Sequence, residues 1–371
     1  MTHNHPGCEH PGVAQNGKSC RNDRKFAHPS NIPIHLKRGL ITEKQQSGFH
    51  EQVSDCMSSL SQPLIPSAER TLTSRITQLA RDYSELTKAR VTTLILMTAW
   101  CGFFFGAAKA GVSSLSLTLL HALIGIGLVS AGTAAMNEVM ERKLDSNMRR
   151  TARRPLVTGS MSLTHGIIAA SSMILGGTAY LWIATNPLTA LLTAATCAVY
   201  LLAYTPLKTV HPICTFIGAF PGAMPPVLGW TAVRGRLDIE AIVLFLILFL
   251  WQFPHFHSIA WLYREDYERA SIRMLPVVES DGRSTVRAIV GYSLALIPAT
   301  LAPTFLHMAG WIYFVGAAVL GTALLWVGLR MWHAKLAPVA RDSKPLARHL
   351  LQATVLYLPL LFALMMLDHA A

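Results

Sequence analysis

Charge is scarce in this 371-residue chain. Asp, Glu, Lys and Arg make up 14% of it, against roughly 25% in soluble domains. Half of the residues are apolar and the mean hydropathy is +0.37. These figures exclude a pair of soluble domains and point to one helical bundle in a membrane, with an extension. No CxxC pair occurs. Of the six cysteines, Cys8, Cys20 and Cys56 lie in the polar N-terminus, and Cys101, Cys197 and Cys214 in apolar segments, where a thiol is a small buried hydrophobe. No disulfide framework is expected. Acids are few beside bases, 20 against 32, for a net charge of +12. Such an excess gathers in the cytoplasmic loops of membrane proteins, so no nucleic-acid partner is expected.

Residues 1–70 lack any long apolar run. With no h-region near Met1, no signal peptide is expected. A transit peptide is poorly supported, because the stretch is neither acid-poor nor clearly amphipathic. His3, His5, Cys8 and His10 have no second Cys/His cluster at structural-zinc spacing. The reading is a disordered polar extension over 1–70, ahead of a membrane domain over 71–371.

Apolar runs of about 20 residues, the length that crosses hydrocarbon, recur from Val91. Nine are predicted: 91–108, 114–136, 163–183, 187–205, 213–233, 239–260, 286–306, 310–330 and 347–367. The loops alternate in charge. One set holds Arg142, Lys143, Arg149, Arg150, Arg153, Arg154, Lys208, Arg264, Arg269, Arg273 and Arg283, with more bases near 335–348. The other holds little beyond Lys109, Arg234 and Arg236. This asymmetry puts the N-terminus and the large loops in the cytoplasm. The fold class is therefore all-α: a polytopic membrane protein of nine transmembrane helices.

The stretch "NEVMERKLDSNMRRTARRPL" carries the sharpest signal. Asn137, Glu141 and Asp145 are spaced i, i+4, i+8, within an arc of about 80° on one helix face. Such oxygen ligands suit Mg²⁺, which takes one or two carboxylates and completes its shell with water and substrate phosphates. Arg149, Arg150, Arg153 and Arg154 follow, and guanidinium groups grip phosphate oxygens bidentately. The order reads either as a magnesium–diphosphate site or as a salt-bridged loop that enforces topology. A second charged loop, with Arg264, Glu265, Asp266, Glu268, Arg269 and Arg273, favours the site, since two acidic loops can hold one diphosphate between them. Glu138, Arg142 and Lys143 are read as surface charges.

Before the second loop, "WQFPHFH" sets Gln252, His255 and His257 among Trp251, Phe253 and Phe256. This would suit a flat macrocycle, or a structural histidine. Lys88 and Arg90 in "ELTKARVT", and Tyr204 and Lys208 in "AYTPLK", read as site groups or as interface anchors. "GAFPGAMPPVLGW" holds Gly218, Gly222, Pro221, Pro225 and Pro226. A broken helix is tolerated where it lines a cavity, here one fit for an isoprenoid tail.

On these motifs, together with "GWTA" and "YREDYERASIRMLPV", the chain from about Glu85 onward resembles the protohaem IX farnesyltransferases (haem O synthases). They form a family within the UbiA-type intramembrane prenyltransferase superfamily. The resemblance implies nine transmembrane helices around a central cavity, capped by charged cytoplasmic loops. It implies transfer of farnesyl from farnesyl diphosphate to a vinyl group of haem B, giving haem O for terminal oxidases. Asn137, Glu141 and Asp145 correspond to the first metal-binding motif and Asp266 to the second acidic site. Arg150 and Arg154 correspond to diphosphate contacts, which Lys88, Arg90, Lys208 and Arg264 would extend. Gln252 and His255 fall on the segment that would meet haem. Mg²⁺ is the implied cofactor. Farnesyl diphosphate, haem B and the bilayer are the implied partners, and haem A synthase or terminal-oxidase assembly lies beyond them. A bacterial cytoplasmic membrane is favoured over the mitochondrial inner membrane.

The sequence departs from the family pattern in places. Ala89 replaces a common Pro, and Glu141 replaces Asp. Ala270 and Ser271 replace a Gly pair, which predicts a loop less able to use positive φ. Rival readings are prenyl transfer to another acceptor such as a quinone precursor, a non-catalytic haem carrier, and a transporter. A transporter would carry more intramembrane ionisable groups than this chain shows.

Overall fold

The computed structural model describes residues 67–369, with side chains from residue 73. The N-terminal extension lies outside the described residues, apart from its last four positions. Those open a helix, α1 (Ser67–Leu86). Its far end docks through Leu86, buried against Ala135, Leu156 and Ala170.

Nine helices among the described residues are long and apolar enough to cross a membrane, so the chain is an integral membrane protein. They are α2 (Ala89–Ala110), α3 (Leu117–Asp145), α5 (Leu163–Ala184), a span over Pro187–Leu207, a span over Cys214–Arg234, α9 (Ile239–Leu262), α12 (Arg283–Phe305), α13 (Trp311–Ala334) and α14 (Ser343–Leu367). A four-residue helix, α4 (Pro155–Thr158), sits between α3 and α5. All nine coincide with the predicted apolar runs to within a few residues, except that α3 continues nine residues past its run. That overhang carries Asn137, Glu141 and Asp145.

Two spans are irregular, each for a local reason. The fourth is α6 (Pro187–Ala198), then a π-helical stretch over Val199–Tyr204, then Thr205–Leu207. Pro206 has no N–H to give the preceding turn, and the Thr205 amide and hydroxyl both donate to the Tyr200 carbonyl, the hydroxyl at 2.9 Å. The fifth breaks at Met224 into α7 (Cys214–Ala223) and α8 (Pro225–Arg234), with Pro225 and Pro226 opening the second half.

Parts of this fifth span pack tightly against their neighbours. A Cβ on Gly229 would lie 1.8 Å from the Ala99 carbonyl oxygen, and one on Gly102 would lie 1.9 Å from that of Pro226. Small residues therefore let α2 and α8 touch backbone to backbone. Gly218 faces the Tyr204 ring, and Gly222 faces the Gln252 amide.

The two largest apolar cores lie among these spans. Trp261, Tyr313, Leu244 and Leu296 anchor one, and Phe103, Ile126, Leu181 and Leu228 the other. Two short helices, α10 (Arg264–Arg269) and α11 (Leu275–Val278), link α9 to α12. Their loop closes over one end of the bundle through Tyr267, Ile272 and Met274, which pack on Met148 and Cys214.

Candidate active site

The overhang of α3 forms one wall of a cavity of about 150 Å³. Asn137, Glu141 and Asp145 line it together, as their helical spacing requires. Lys88, Arg150, Arg154 and Lys208 line it from other elements, and Thr151, Tyr200, Tyr204 and Tyr267 complete the polar shell.

Each acidic-face residue holds a cation or a fixed donor. Lys88 Nζ donates to Asn137 Oδ1 at 2.7 Å, and Asn137 Nδ2 donates to Thr205 Oγ1 at 3.2 Å. Lys208 Nζ donates to Glu141 Oε1 at 2.7 Å. Arg154 Nη1 donates to Asp145 Oδ2 at 2.6 Å. Arg150 reaches the Tyr267 hydroxyl at 3.4 Å and lies over the Tyr263 and Tyr267 rings at 5.3 and 5.7 Å. This leaves its charge held by π faces rather than by a carboxylate.

Lys88 adopts the left-handed conformation, φ 47° and ψ 51°, at the start of α2. A non-glycine residue there carries strain, and the Asn137 contact is what that geometry delivers. Burial of the ammonium, then the Arg154 and Lys208 charges, lower its pKa to about 8. Burial pulls Lys208 down as well, but the Tyr204 and Tyr200 oxygens and Glu141 outweigh it and raise its pKa.

Glu138 does not sit where the sequence reading put it. It is buried, 1% exposed, and its Oε1 lies 3.3 Å from Arg154 Nε. Arg154 thus bridges two carboxylates of α3, seven residues apart. Arg142 and Lys143 are exposed as expected.

The donor set fits Mg²⁺. Asp145 Oδ1 is buried without a hydrogen-bond partner, an arrangement that costs free energy unless a ligand satisfies it. Among the described residues no three His, Cys, Asp or Glu side chains converge closely enough to hold an ion alone. Mg²⁺ bound with a phosphate ligand asks for only one or two carboxylates, and the amide oxygen of Asn137 adds a third protein donor.

The remaining sequence candidates lie elsewhere. Asp266 pairs with Arg269. Arg264 donates to the Pro276 carbonyl at 3.2 Å and pairs with Glu268 at 3.3 Å, bracing the link between α10 and α11. Arg90 lines an adjoining surface cleft with Arg81, Glu85 and Lys88. Gln252 spends its amide on the Ala219 and Leu248 carbonyls, at 3.0 and 3.2 Å. His255 stacks on Trp251 and bonds Thr354 Oγ1 at 2.9 Å. Ser271 corrects the expectation for its loop, because it takes φ 56° without being glycine.

Sequence reasoning missed Tyr200, Tyr267 and Thr151. Tyr200 is four residues from Tyr204, and in the π-helical stretch both rings face the cavity. The tyrosine spacing ahead of Pro206 was the available signal. Thr151 donates to the Asp145 carbonyl at 2.9 Å and so ties the arginine loop to the end of α3.

Comparisons with known proteins bear on this geometry. Residues 95–366 match the model of the UbiA prenyltransferase family. A protoheme IX farnesyltransferase of Koribacter versatilis is 65% identical over 84% of this chain and 99% of its own length. One of Solibacter usitatus is 48% identical over 78% and 98%. Among solved structures, a UbiA homologue from Archaeoglobus fulgidus bound to GPP and Mg²⁺ superposes with a TM-score of 0.53 at 16% identity, covering 76% of this chain and 99% of that one. A digeranylgeranylglyceryl phosphate synthase gives 0.65 at 14% identity, over 78% and 98%. Matched over most of its length by the family model and by these relatives, the chain belongs to the UbiA prenyltransferase family.

Proposed function

We propose that this protein is a prenyltransferase that moves the farnesyl group of farnesyl diphosphate onto a vinyl group of protohaem IX, giving haem O. The 65% identity to a protoheme IX farnesyltransferase over nearly its whole length supports the activity. The observation that carries the site is the Asn137–Glu141–Asp145 face, with its orphaned Asp145 oxygen, set against four cations in one cavity.

Asn137, Glu141 and Asp145 would hold Mg²⁺, which neutralises diphosphate charge and improves it as a leaving group. The chain's own groups do the rest. Lys88, Arg150, Arg154 and Lys208 grip the diphosphate oxygens, and their positive charge stabilises the anion that builds as the allylic C–O bond breaks. In the free enzyme Lys208 and Arg154 rest on the Glu141 and Asp145 carboxylates and Lys88 on the neutral Asn137 amide, so the cavity keeps an excess of positive charge for the diphosphate. Tyr267, Ile272 and Met274 shield the cavity from water, which protects an allylic cation from early capture. The farnesyl carbon bonds to the terminal vinyl carbon. Water then adds to the neighbouring carbon and releases a proton, leaving a hydroxyethyl link. Asp266, Arg264, Arg90, Gln252 and His255 support the site from outside this cavity, bracing the capping loop, the adjoining cleft and α9.

The membrane is proposed to be a bacterial cytoplasmic membrane, with the charged end of the bundle inward by its excess of Lys and Arg. Pigment extraction after incubation with farnesyl diphosphate and haem B tests the activity. A haem heavier by one farnesyl and one water is expected. Haem that binds but keeps its mass would overturn the proposal.

A further inference from the structure

The structure holds a second basic cavity at the end of the bundle that carries the candidate site, well apart from it in the fold. It has a volume of about 440 Å³, between the start of α12 and the end of α13. Arg283, Arg287 and Lys335 supply the charge. Val286, Met331 and Trp332 supply an apolar floor and wall.

The acids nearby are already engaged. Asp281 pairs with Arg283 at 3.2 Å. The Glu279 carboxylate accepts from the Ser284 and Thr285 amides at 2.8 and 3.1 Å, closing the start of α12. Among the described residues neither Arg287 nor Lys335 has an ion pair. Two cations without an ion pair therefore line the cleft, whose one lining acid, Asp281, is held by Arg283.

An apolar strip leads away from this cleft. Gly291 and Leu294 lie four and seven residues beyond Arg287, on the same face of α12. A Cβ added at Gly291 would meet nothing within 4 Å, and Leu294 is 56% exposed. The strip runs along a membrane-spanning helix, and Trp332, 43% exposed, marks its charged end as aromatic residues mark the interface.

We infer that this cleft binds an anionic phospholipid, its phosphate between Arg287 and Lys335 and one acyl chain over Gly291 and Leu294. A phosphate with no tail would satisfy the cations but would leave the strip unexplained. Basic pockets between transmembrane helices commonly hold such headgroups.

Native mass spectrometry of the whole protein in detergent tests this, with phosphatidylglycerol, phosphatidylcholine of the same acyl chains, and inorganic phosphate as probes. Phosphatidylglycerol is expected to be retained in preference to phosphatidylcholine. The Arg287→Gln/Lys335→Gln variant should bind it about thirtyfold more weakly, at roughly fivefold per cation near an anionic surface. Gly291→Phe keeps both cations and fills the strip. It should weaken phosphatidylglycerol while leaving inorganic phosphate competition unchanged, and it decides the matter even if the double variant fails to fold. Equal retention of the two lipids would overturn the inference. So would a Gly291→Phe protein that binds lipid like the parent, or displacement of the lipid by inorganic phosphate at equal concentration.

Discussion

The two ends of the bundle use the same residue types for opposite purposes. At the end away from the candidate site, Asp238 accepts from Trp230 Nε1, Arg234 and Arg236, each at 3.0 Å, while Glu240 pairs with Lys109 and keeps one buried oxygen without a partner. Every acceptor of Asp238 is spent on fixed donors of its own neighbourhood, which makes a clip between α8 and α9. At the candidate-site end the acids also meet cations, but the site's cations arrive on three separate segments: Lys88, the loop of Arg150 and Arg154, and Lys208. One oxygen each of Asp145 and Glu138 is left over, and an open cavity lies beside them. A saturated cluster closes a fold. An under-satisfied one that also lines an open cavity, where buried groups ordinarily find partners, is arranged for something that comes and goes.

Substitutions at the two ends should separate these purposes. The largest effect is expected from Asp145→Ala, which removes both the Arg154 anchor and the orphan oxygen. Product formation should fall by at least about a hundredfold while the protein still inserts and runs as a monodisperse species. Haem product yield by mass spectrometry measures it, and full activity would sink the metal role of the α3 face.

Next comes Glu138→Gln, which keeps the shape and drops the charge that steadies Arg154. A charge-assisted bond contributes roughly 1.5–3 kcal/mol, so kcat/KM for the prenyl diphosphate should drop about tenfold or more. An unchanged value would return Glu138 to a purely structural role.

Asp238→Ala should show the reverse pattern, with activity per folded molecule intact and a stability loss of about 1–2 kcal/mol, visible as a lower melting temperature. Burial alone would raise the Asp238 carboxyl, but donation from Arg234 and Trp230 holds it below its ordinary range. A depressed native value means that its contribution is present above the unfolded pKa and is lost as pH falls through the native one. The difference between parent and variant should therefore shrink in acid; a gap that widens would refute the clip. Smallest of all, Ser271→Gly relieves a positive φ at some entropic cost in the unfolded chain, for a net gain of about 0.5 kcal/mol. A melting curve that moves down instead would show that the Ser271 side chain has a partner of its own.

How much of this was legible in the sequence differs by scale. The nine spans were, because an apolar run of bilayer length has few alternatives as structure. The α3 face was, because i, i+4, i+8 is a helix rule that needs no partner to apply. Glu138 was not, because a charge on a helix beside arginines looks the same whether it meets water or a buried guanidinium. Tyr200 depended on a π-helical stretch that shifts the phase of its helix. Gln252 and His255 were read for their chemistry, yet their bonds go to Ala219, Leu248 and Thr354, which lie 33, 4 and 99 residues away. Only tertiary packing reveals the distant two, Ala219 and Thr354.

The long α3 helix has one more consequence. Its 29 residues make a rigid rod of roughly 43 Å, longer than the hydrocarbon that it crosses. Asn137, Glu141 and Asp145 are thus indexed, in height and in rotation, to residues deep in the bundle such as Ile126 and Val129. One residue inserted between Val129 and Asn137 would swing the whole acidic row by about 100° and lift it by about 1.5 Å. The bilayer-buried half of this helix therefore acts as the timing mark for chemistry performed at its tip.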